Sequence, residues 1–274
     1  RWCPTRRQRR HPCSRVECSG VMSEPRLPSI YNLISLDRCA STNDEARDLA
    51  RQGDDAAPDG TLVWAREQTQ GRGRRGSDWV SPLGNLHLSL ILRPEVPLRE
   101  AAQLSFVTAV ALYDALGNIS EPGHQIHLKW PNDVLLQEKK VAGILLESEA
   151  GGVEFPEWVI VGLGVNVAHF PDDSAYPATS LSAEHWAVSV EDTLVAFARS
   201  FQRWANIWVE EGFGIVRRTW LNRAIGKGKS IEVRLENETL TGNFKDLDDD
   251  GALILERDGA EQRVAAGVVY FPDN

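Results

Sequence analysis

Cysteine is nearly absent from the body of this chain: of four in 274 residues, Cys3, Cys13 and Cys18 crowd the N-terminus and only Cys39 lies beyond. No disulfide framework or paired-thiolate zinc site can be built there, and a reducing, cytoplasmic setting is expected. Long apolar runs are missing as well. The longest, WVIVGLGV and LHLSLIL, have the length of strands and fall far short of the ~20 residues that cross a bilayer. No G-x-S-x-G, H-E-x-x-H or G-x-x-x-x-G-K-[ST] motif occurs, and His87, His124 and His127 have no ligand-like neighbours in sequence. Histidine-based hydrolysis, zinc hydrolysis and P-loop chemistry are therefore disfavoured.

Charge is unevenly distributed along the chain. The formal net charge is −9, yet residues 1–21 hold six arginines against one glutamate, so the remainder carries −14. A general polyanion binder is disfavoured by that balance. The Arg-rich head, RWCPTRRQRRHPCSRVECSGV, has no hydrophobic signal core and directly precedes the only methionine, Met22. The expectation is that the natural protein starts at Met22, an organelle transit peptide being the other reading. Residues 1–28 are accordingly set aside as head and entry. With 42% hydrophobic residues, the chain can bury a substantial core.

The periodicities then divide the chain. In CASTNDEARDLARQG, Thr42 is placed to cap a helix with Glu45 three residues on, Ala46, Leu49 and Ala50 form the apolar stripe, and Gly53 stops it. GTLVWAREQ reads as a strand running into GRGRRG, and NLHLSLILRP alternates with period two up to Pro94. Residues 99–116 predict a core helix with Gly117 as its C-cap. Three apolar strand segments come next, IHLKWPNDVLLQ, KVAGILLESE and WVIVGLGVNVAH, the first two parted by a hairpin tip at Glu138 and Lys139. A long helix over 190–211 starts after Ser189 with Asp192 at N3, carries an inward stripe of Leu194, Phe197, Phe201, Trp204 and Trp208, and ends at Gly212. A shorter helix containing VRRTWLNRA leads to short alternating strands, so a small all-β module is expected over 226–274 after a larger unit over 29–225. Mixed runs of strands and helices with a β tail indicate α+β, a mixed sheet with flanking helices, rather than a doubly wound sheet.

Three stretches can carry chemistry. GRGRRG, residues 71–76, sits between two strands with Trp79 just beyond and a Ser-Pro-x-Gly turn closing it. Glycine lets backbone N–H groups approach an oxyanion and arginine offers paired donors, so the loop suits a small anion; a solvated basic loop is the plainer reading. KWPND interrupts a strand with Asn132 and Asp133, oxygen donors of the kind Mg²⁺ prefers, ahead of Lys140 and Gly143; an ordinary turn with hairpin lysines is the alternative. VGLGVNV buries Asn166 in an apolar strand, where its amide must bond backbone or a ligand such as an adenine edge.

Taken in order, STN (41–43), Q-x-x-GRGRRG-x-x-W-x-SP-x-GN (68–85), KWPND (129–133), KVAGIL (140–145) and GLGVNV (162–167) resemble the biotin protein ligases. The resemblance spans about residues 30–225, and the β tail resembles that family's SH3-like C-terminal domain. It implies a class II synthetase-like core that activates biotin with ATP and Mg²⁺ to biotinyl-5'-AMP. The biotin then passes to a lysine of a biotin carboxyl carrier domain, that of acetyl-CoA carboxylase or of another biotin-dependent carboxylase. On the matching positions, Ser41, Thr42, Asn43 and Gln68 meet biotin's ureido end, with Gly143 and Gly162 beside the same ligand. Gly71, Arg72, Gly73 and Arg74 form the ligand loop over the biotin carboxylate and AMP phosphate, and Lys140 neutralises the same oxygens. Arg74 and Lys140 are the catalytic pair. Trp79, Asn132 and Asn166, with Arg72 and Lys140, serve the nucleotide, Asp133 the Mg²⁺, and Lys129 and Lys139 are demoted as strand and hairpin neighbours. About 20 residues between Met22 and the STN motif are too few for the winged helix-turn-helix of the repressing members, so no DNA binding, no membrane association and a monomer or homodimer are expected. Cys39 has no base near it in sequence and reads as a structural thiol rather than a transferase nucleophile.

Overall fold

The structure, a computed structural model, describes residues 25–120, 122–149, 155–174 and 176–271. The expectations about the Arg-rich head lie outside the described residues. Strand β1 (Asn32–Cys39) leads through helix α1 (Thr42–Arg51) to β2 (Thr61–Gln68), then β3 (Leu86–Leu92), the short α2 (Leu98–Ala101) and α3 (Leu104–Ile119). Next come β4 (Ile126–Lys129), β5 (Asp133–Leu136), β6 (Lys139–Ser148), β7 (Val159–Val165), α4 (Val190–Glu211) and α5 (Phe213–Leu221). The first seven strands form one sheet in the order β1-β2-β3-β7-β6-β5-β4. Only β1 and β2 run parallel, α1 being their crossover; the other pairs are antiparallel, giving a mixed sheet.

Alternation along the central strands sends two residue sets to two faces. Leu86, Leu88 and Leu90 of β3 join Val161 and Leu163 of β7 in the main core beneath α3 and α4. On the other face Val63, Ile91 and Ile160 pack with Ala46 and Ala50 of α1 and with Trp158. Because both faces are covered, every residue of β3 is buried, which hides the amphipathic alternation expected of it. At ten residues, α1 is about 15 Å long and covers only part of its face. The rest of that face is free for a ligand cavity.

Several local expectations are corrected. Ser41, not Thr42, is the N-cap of α1, and it makes no side-chain capping bond; the Thr42 hydroxyl is turned inward to Gln68 Oε1 at 3.0 Å. The helix expected over 99–116 is divided into α2 and α3 at residues 102–103, where Gln103 is held by Asp249 and Trp208, and α3 runs through Gly117 to Ile119. The β5–β6 hairpin tip is Gln137 and Glu138, both at positive φ, so Lys139 already belongs to a strand. α4 forms as its pattern dictates. Ser189 and Asp192 make a reciprocal capping box, and Trp204 and Trp208 are buried against α3 with their indole N–H groups on Asp114 and Gln103.

Strands β8 (Ser230–Arg234), β9 (Thr239–Leu247), β10 (Leu253–Arg257), β11 (Ala260–Val264) and β12 (Val268–Tyr270) form an antiparallel SH3-like sheet in the order β11-β10-β9-β8-β12. It is joined to the larger unit by aromatic packing of Trp220 of α5 on Phe244 of β9. A hydrogen bond from Trp130 Nε1 to the Gly251 carbonyl adds to the join. No helix among the described residues is long and apolar enough to cross a membrane.

Candidate functional site

The uncovered part of the α1 face is a cavity of about 320 Å³ whose floor is laid by glycines. Gly162 and Gly164 are two residues apart on β7, so both point into it, and Gly164 pairs with Gly143 of β6. A methyl group at Gly162 would overlap the Asn43 amide, and one at Gly164 would overlap the Trp79 indole. The floor is bare because side chains from elsewhere lie on it.

At one end stands the start of α1. Thr42 N and Oγ1 both donate to Gln68 Oε1, at 2.8 and 3.0 Å, and Gln68 Nε2 donates to Ser81 Oγ at 2.8 Å. Asn43 Nδ2 donates to Glu147 Oε2 at 2.8 Å, while its Oδ1 accepts from Ser89 Oγ at 2.5 Å. Thr42, Asn43, Ser81 and Ser89 are buried, and with the half-buried Gln68 and Glu147 they satisfy one another, which holds the end of the cavity rigid.

Residues 71–79 form a small hairpin over the cavity. Trp79 N–H donates to the Gly71 carbonyl at 2.9 Å, Arg72 bridges Asp78, and a 3-10 turn (Arg74–Gly76) makes the tip, with Arg75 at φ 54. Arg72 places its fork on Asp44, Nη1 to Oδ2 at 2.6 Å and Nη2 to Oδ1 at 2.7 Å. The Arg72 guanidinium, through hydrogen bonds to it, holds the Asp44 carboxyl below the usual range. Arg74 turns inward, with Nη1 at 3.4 Å from both Asn132 Oδ1 and the Gly267 carbonyl. Burial, then Arg75, lower its pKa against the opposing pull of Asp133. The Trp79 ring lies between this cavity and a neighbouring one, also about 320 Å³, and its Nε1 is buried without a hydrogen-bond partner among the described residues.

The far wall carries the cations. Lys140 Nζ lies 2.7 Å from Asp133 Oδ1 and 5.4 Å from the centre of the Trp79 ring. Lys129, at the end of β4, is only 2% exposed; its Nζ is 3.9 Å from Asp133 Oδ2, 3.6 Å from the Tyr176 ring centre and 5.6 Å from that of Tyr270. Burial pushes its ammonium down to about 8, Asp133 opposing and Lys140 adding to the fall.

The cavity thus gathers Ser41, Thr42, Asn43, Gln68, Arg72, Gly73, Arg74, Trp79, Asn132, Asp133, Lys140, Gly143 and Gly162. Gly71 and Asn166 lie apart from it. Gly71 is packed at the hairpin base, where a side chain would overlap Ser81 Oγ and the Trp79 carbonyl. Asn166 donates to the Thr179 carbonyl at 3.1 Å and lines the second cavity, beyond Trp79. Lys129, set aside on sequence grounds, lines the first cavity, whereas Lys139 is exposed and paired with Glu184. Missed in the sequence were Ser89 and Glu147, Tyr176, and Val268 and Tyr270 from the C-terminal sheet. Ser89 carried a signal, a lone hydroxyl at an inward position of an apolar strand; the residues of the C-terminal sheet carried none.

The metal expectation meets a limited donor set. No cluster of three or more metal-ligating side chains occurs among the described residues. The potential ligand Asn132 Oδ1 faces Arg74 Nη1 at 3.4 Å, and Asp133 faces two lysines. One carboxylate beside cations fits an Mg²⁺ that arrives on a polyphosphate and does not fit a dedicated protein cage.

A hydroxyl- and amide-lined end, a glycine floor under an indole, and a cation wall facing an arginine hairpin suit a ligand with a polar head and anionic oxygens. The chain matches the biotin/lipoate A/B protein ligase family over residues 78–222 and the biotin protein ligase C-terminal domain over residues 227–271. A biotin–[acetyl-CoA-carboxylase] ligase of Paracoccus denitrificans is 45% identical over 242 residues, covering 86% of this chain and 99% of the relative. The bifunctional ligase/repressor BirA of Bacillus subtilis is 37% identical over 235 residues, covering 82% of this chain and 69% of the relative. Among solved structures, a biotin protein ligase of Aquifex aeolicus in complex with biotin and ATP superimposes with a TM-score of 0.74 at 27% identity, covering 87% of this chain and 97% of that one. The chain belongs to the biotin/lipoate A/B protein ligase family. Within it, the chain is a member of the biotin protein ligase branch.

Proposed function

We propose that this protein is an ATP-dependent biotin ligase that makes biotinyl-5'-AMP and passes biotin to a lysine of a biotin carboxyl carrier domain, that of acetyl-CoA carboxylase or of another biotin-dependent carboxylase. The observation that carries this is one cavity with a satisfied polar end, an apolar glycine floor and, opposite, three cationic side chains, Arg74, Lys129 and Lys140. In the first step a biotin carboxylate oxygen attacks the α-phosphorus of ATP and the bond to pyrophosphate breaks. In the second the acceptor amine attacks the acyl carbon and AMP leaves. Both steps build negative charge on oxygens brought together, so fixed cations in a site screened from water are the main requirement, and no protein nucleophile is needed.

Ser41, Thr42, Asn43 and Gln68 hold biotin's ureido ring at the end of the cavity, with Gly143 and Gly162 in the floor beneath, where a side chain would press on Trp79 and Asn43. Lys140 and Arg74 meet the carboxylate and α-phosphate oxygens, and Lys129 adds a third cation at their base. Arg72 is assigned to the loop, since its fork is filled by Asp44. Trp79 lies against the nucleotide and Asn166 serves the adenine side of that ring. Mg²⁺, when bound with ATP, offsets phosphate charge, with Asp133 and Asn132 on its side of the site. A soluble cytoplasmic enzyme, monomer or homodimer, without repressor activity completes the reading. It is supported by the acidic C-terminal segment, ten carboxylates against four basic groups over residues 234–274, which disfavours a phosphate backbone.

The test is biotin-dependent exchange of labelled pyrophosphate into ATP in the presence of Mg²⁺, followed by transfer to a carrier domain. Lipoate and octanoate run in parallel. Exchange with biotin alone is expected; no exchange, or a preference for lipoate or octanoate, would overturn the reading.

A further inference from the structure

The hairpin over the cavity is held from outside at two points. Arg74 reaches inward to Asn132 and Gly267 over long contacts of 3.4 Å, whereas Arg72 is gripped bidentately by Asp44 at 2.6 and 2.7 Å. That grip belongs to a four-group clasp. Arg47 Nη1 is 2.6 Å from Asp44 Oδ1, Arg47 Nη2 is 2.9 Å from Glu147 Oε2, and Arg72 Nη2 is 3.7 Å from Glu147 Oε1. Two arginines and two carboxylates cancel in charge and tie together α1, the hairpin and β6. Glu147 also holds Asn43 at the polar end of the cavity. All four side chains keep 24–35% exposure, so the clasp contributes little to the core but sits at the rim where the hairpin must open.

We propose that Asp44 is a positioning residue for the ligand hairpin. Its carboxylate fills the fork of Arg72 and holds residues 71–79 down across the cavity, so that a bound intermediate is retained until the clasp opens. Asp44 does not line the cavity; it reaches the hairpin through Arg72, and its second partner, Arg47, keeps its own bond to Glu147. A partly exposed ion pair adds little to global stability. The same interaction weighs fully on a local opening equilibrium, where a loop with few other contacts opens at small free-energy cost. The fork geometry matters, since two parallel N–H···O bonds fix the direction of the Arg72 stem and with it the plane of the hairpin. Below Arg72 the hairpin base is independently fixed by the Trp79 to Gly71 hydrogen bond and by Gln68 on Ser81. Loss of Asp44 therefore frees the tip without unravelling the base.

The experiment compares full-length wild type with Asp44→Asn, Arg72→Gln and the double variant. Without ligand, limited trypsin is scored by mass spectrometry for cutting after Arg74 and Arg75. With biotin and ATP loaded, the rate at which adenylate leaves is followed by filtration. Asp44→Asn is expected to speed cutting and adenylate loss ~5-fold, raising KM with single-turnover kcat within about twofold, and to leave the melting temperature within about 2 °C. The double variant is expected to be no worse than either single one. Wild-type cutting and retention in Asp44→Asn, additive losses in the double variant, or an activity loss that tracks melting would each overturn the proposal. The retention arm rests on the biotin-ligase reading and the trypsin arm does not. If wild type forms no adenylate the functional reading fails, while the trypsin arm still decides the clasp.

Discussion

Lys129 and Lys140 approach one carboxylate from two strands, yet their settings differ. Lys129 is 2% exposed and faces aromatic rings; the Lys140 side chain keeps 27% exposure at the start of β6. A buried ammonium without close hydrogen-bonded partners costs stability unless a ligand anion completes it. Lys129→Met is thus expected to leave the melting temperature unchanged or raise it, because an apolar isostere removes the desolvation cost. Pyrophosphate exchange should fall about 100-fold in the same variant. Lys140→Ala should lose exchange on the same scale, about 100-fold, with a stability change under about 1 kcal/mol. Melting curves beside exchange assays check both, and a parallel loss of stability and activity in Lys129→Met would contradict the assignment. On the sequence, Lys140 is preferred because it matches the family motif and Lys129 is set aside as a strand neighbour of the turn. Burial, which sequence spacing does not encode, brings Lys129 into the site.

Within elements, the period of two along β7 is what makes the floor of the cavity. Gly162 and Gly164 share a face, and each makes room for a different side chain, Asn43 for the first and Trp79 for the second. Gly164→Ala would displace the indole and is expected to raise KM for ATP more than for biotin. Gly162→Ala would displace Asn43 and should do the reverse. Steady-state kinetics with each substrate varied would separate them, and equal effects from both substitutions would show that the floor is not divided in this way. The strands and the α4 cap were legible because they depend on near neighbours, whereas the β5–β6 tip was placed one residue too late. The α1 cap was misread because the hydroxyl of Thr42 has a stronger partner in Gln68, 26 positions away.

For the molecule as a whole, two carboxylates tie parts of the surface together in ways that acid should undo. Asp44 is depressed first by its hydrogen bonds to Arg72. Asp248, though burial works against it, is depressed by Arg263 and by backbone N–H groups of the C-terminal sheet. A group with a lowered folded pKa contributes stability that is complete above its unfolded value, ~3.9 for aspartate, and is lost as pH falls through the folded value. Burial also lowers the pKa of His87, which costs stability as pH falls below ~6.5, so the urea midpoint is expected to begin to fall there and to drop further below about pH 4. A midpoint that rises on acidification through that window would contradict these directions.

The sequence by itself determined the elements, the α+β order with its β tail, the motif residues and the family, because periodicity, caps and ordered motifs are local and read along the chain. Only the tertiary structure decided which of those residues share a cavity. It put Asn166 beyond Trp79 and Gly71 in the hairpin base, brought Lys129 inside, and supplied Ser89, Glu147, Tyr176, Val268 and Tyr270. It also turned Arg72 of GRGRRG onto Asp44. The reason is physical: a side chain's burial and its partner are set by strand register and by packing between units far apart in the chain, and neither is written in the spacing of one segment.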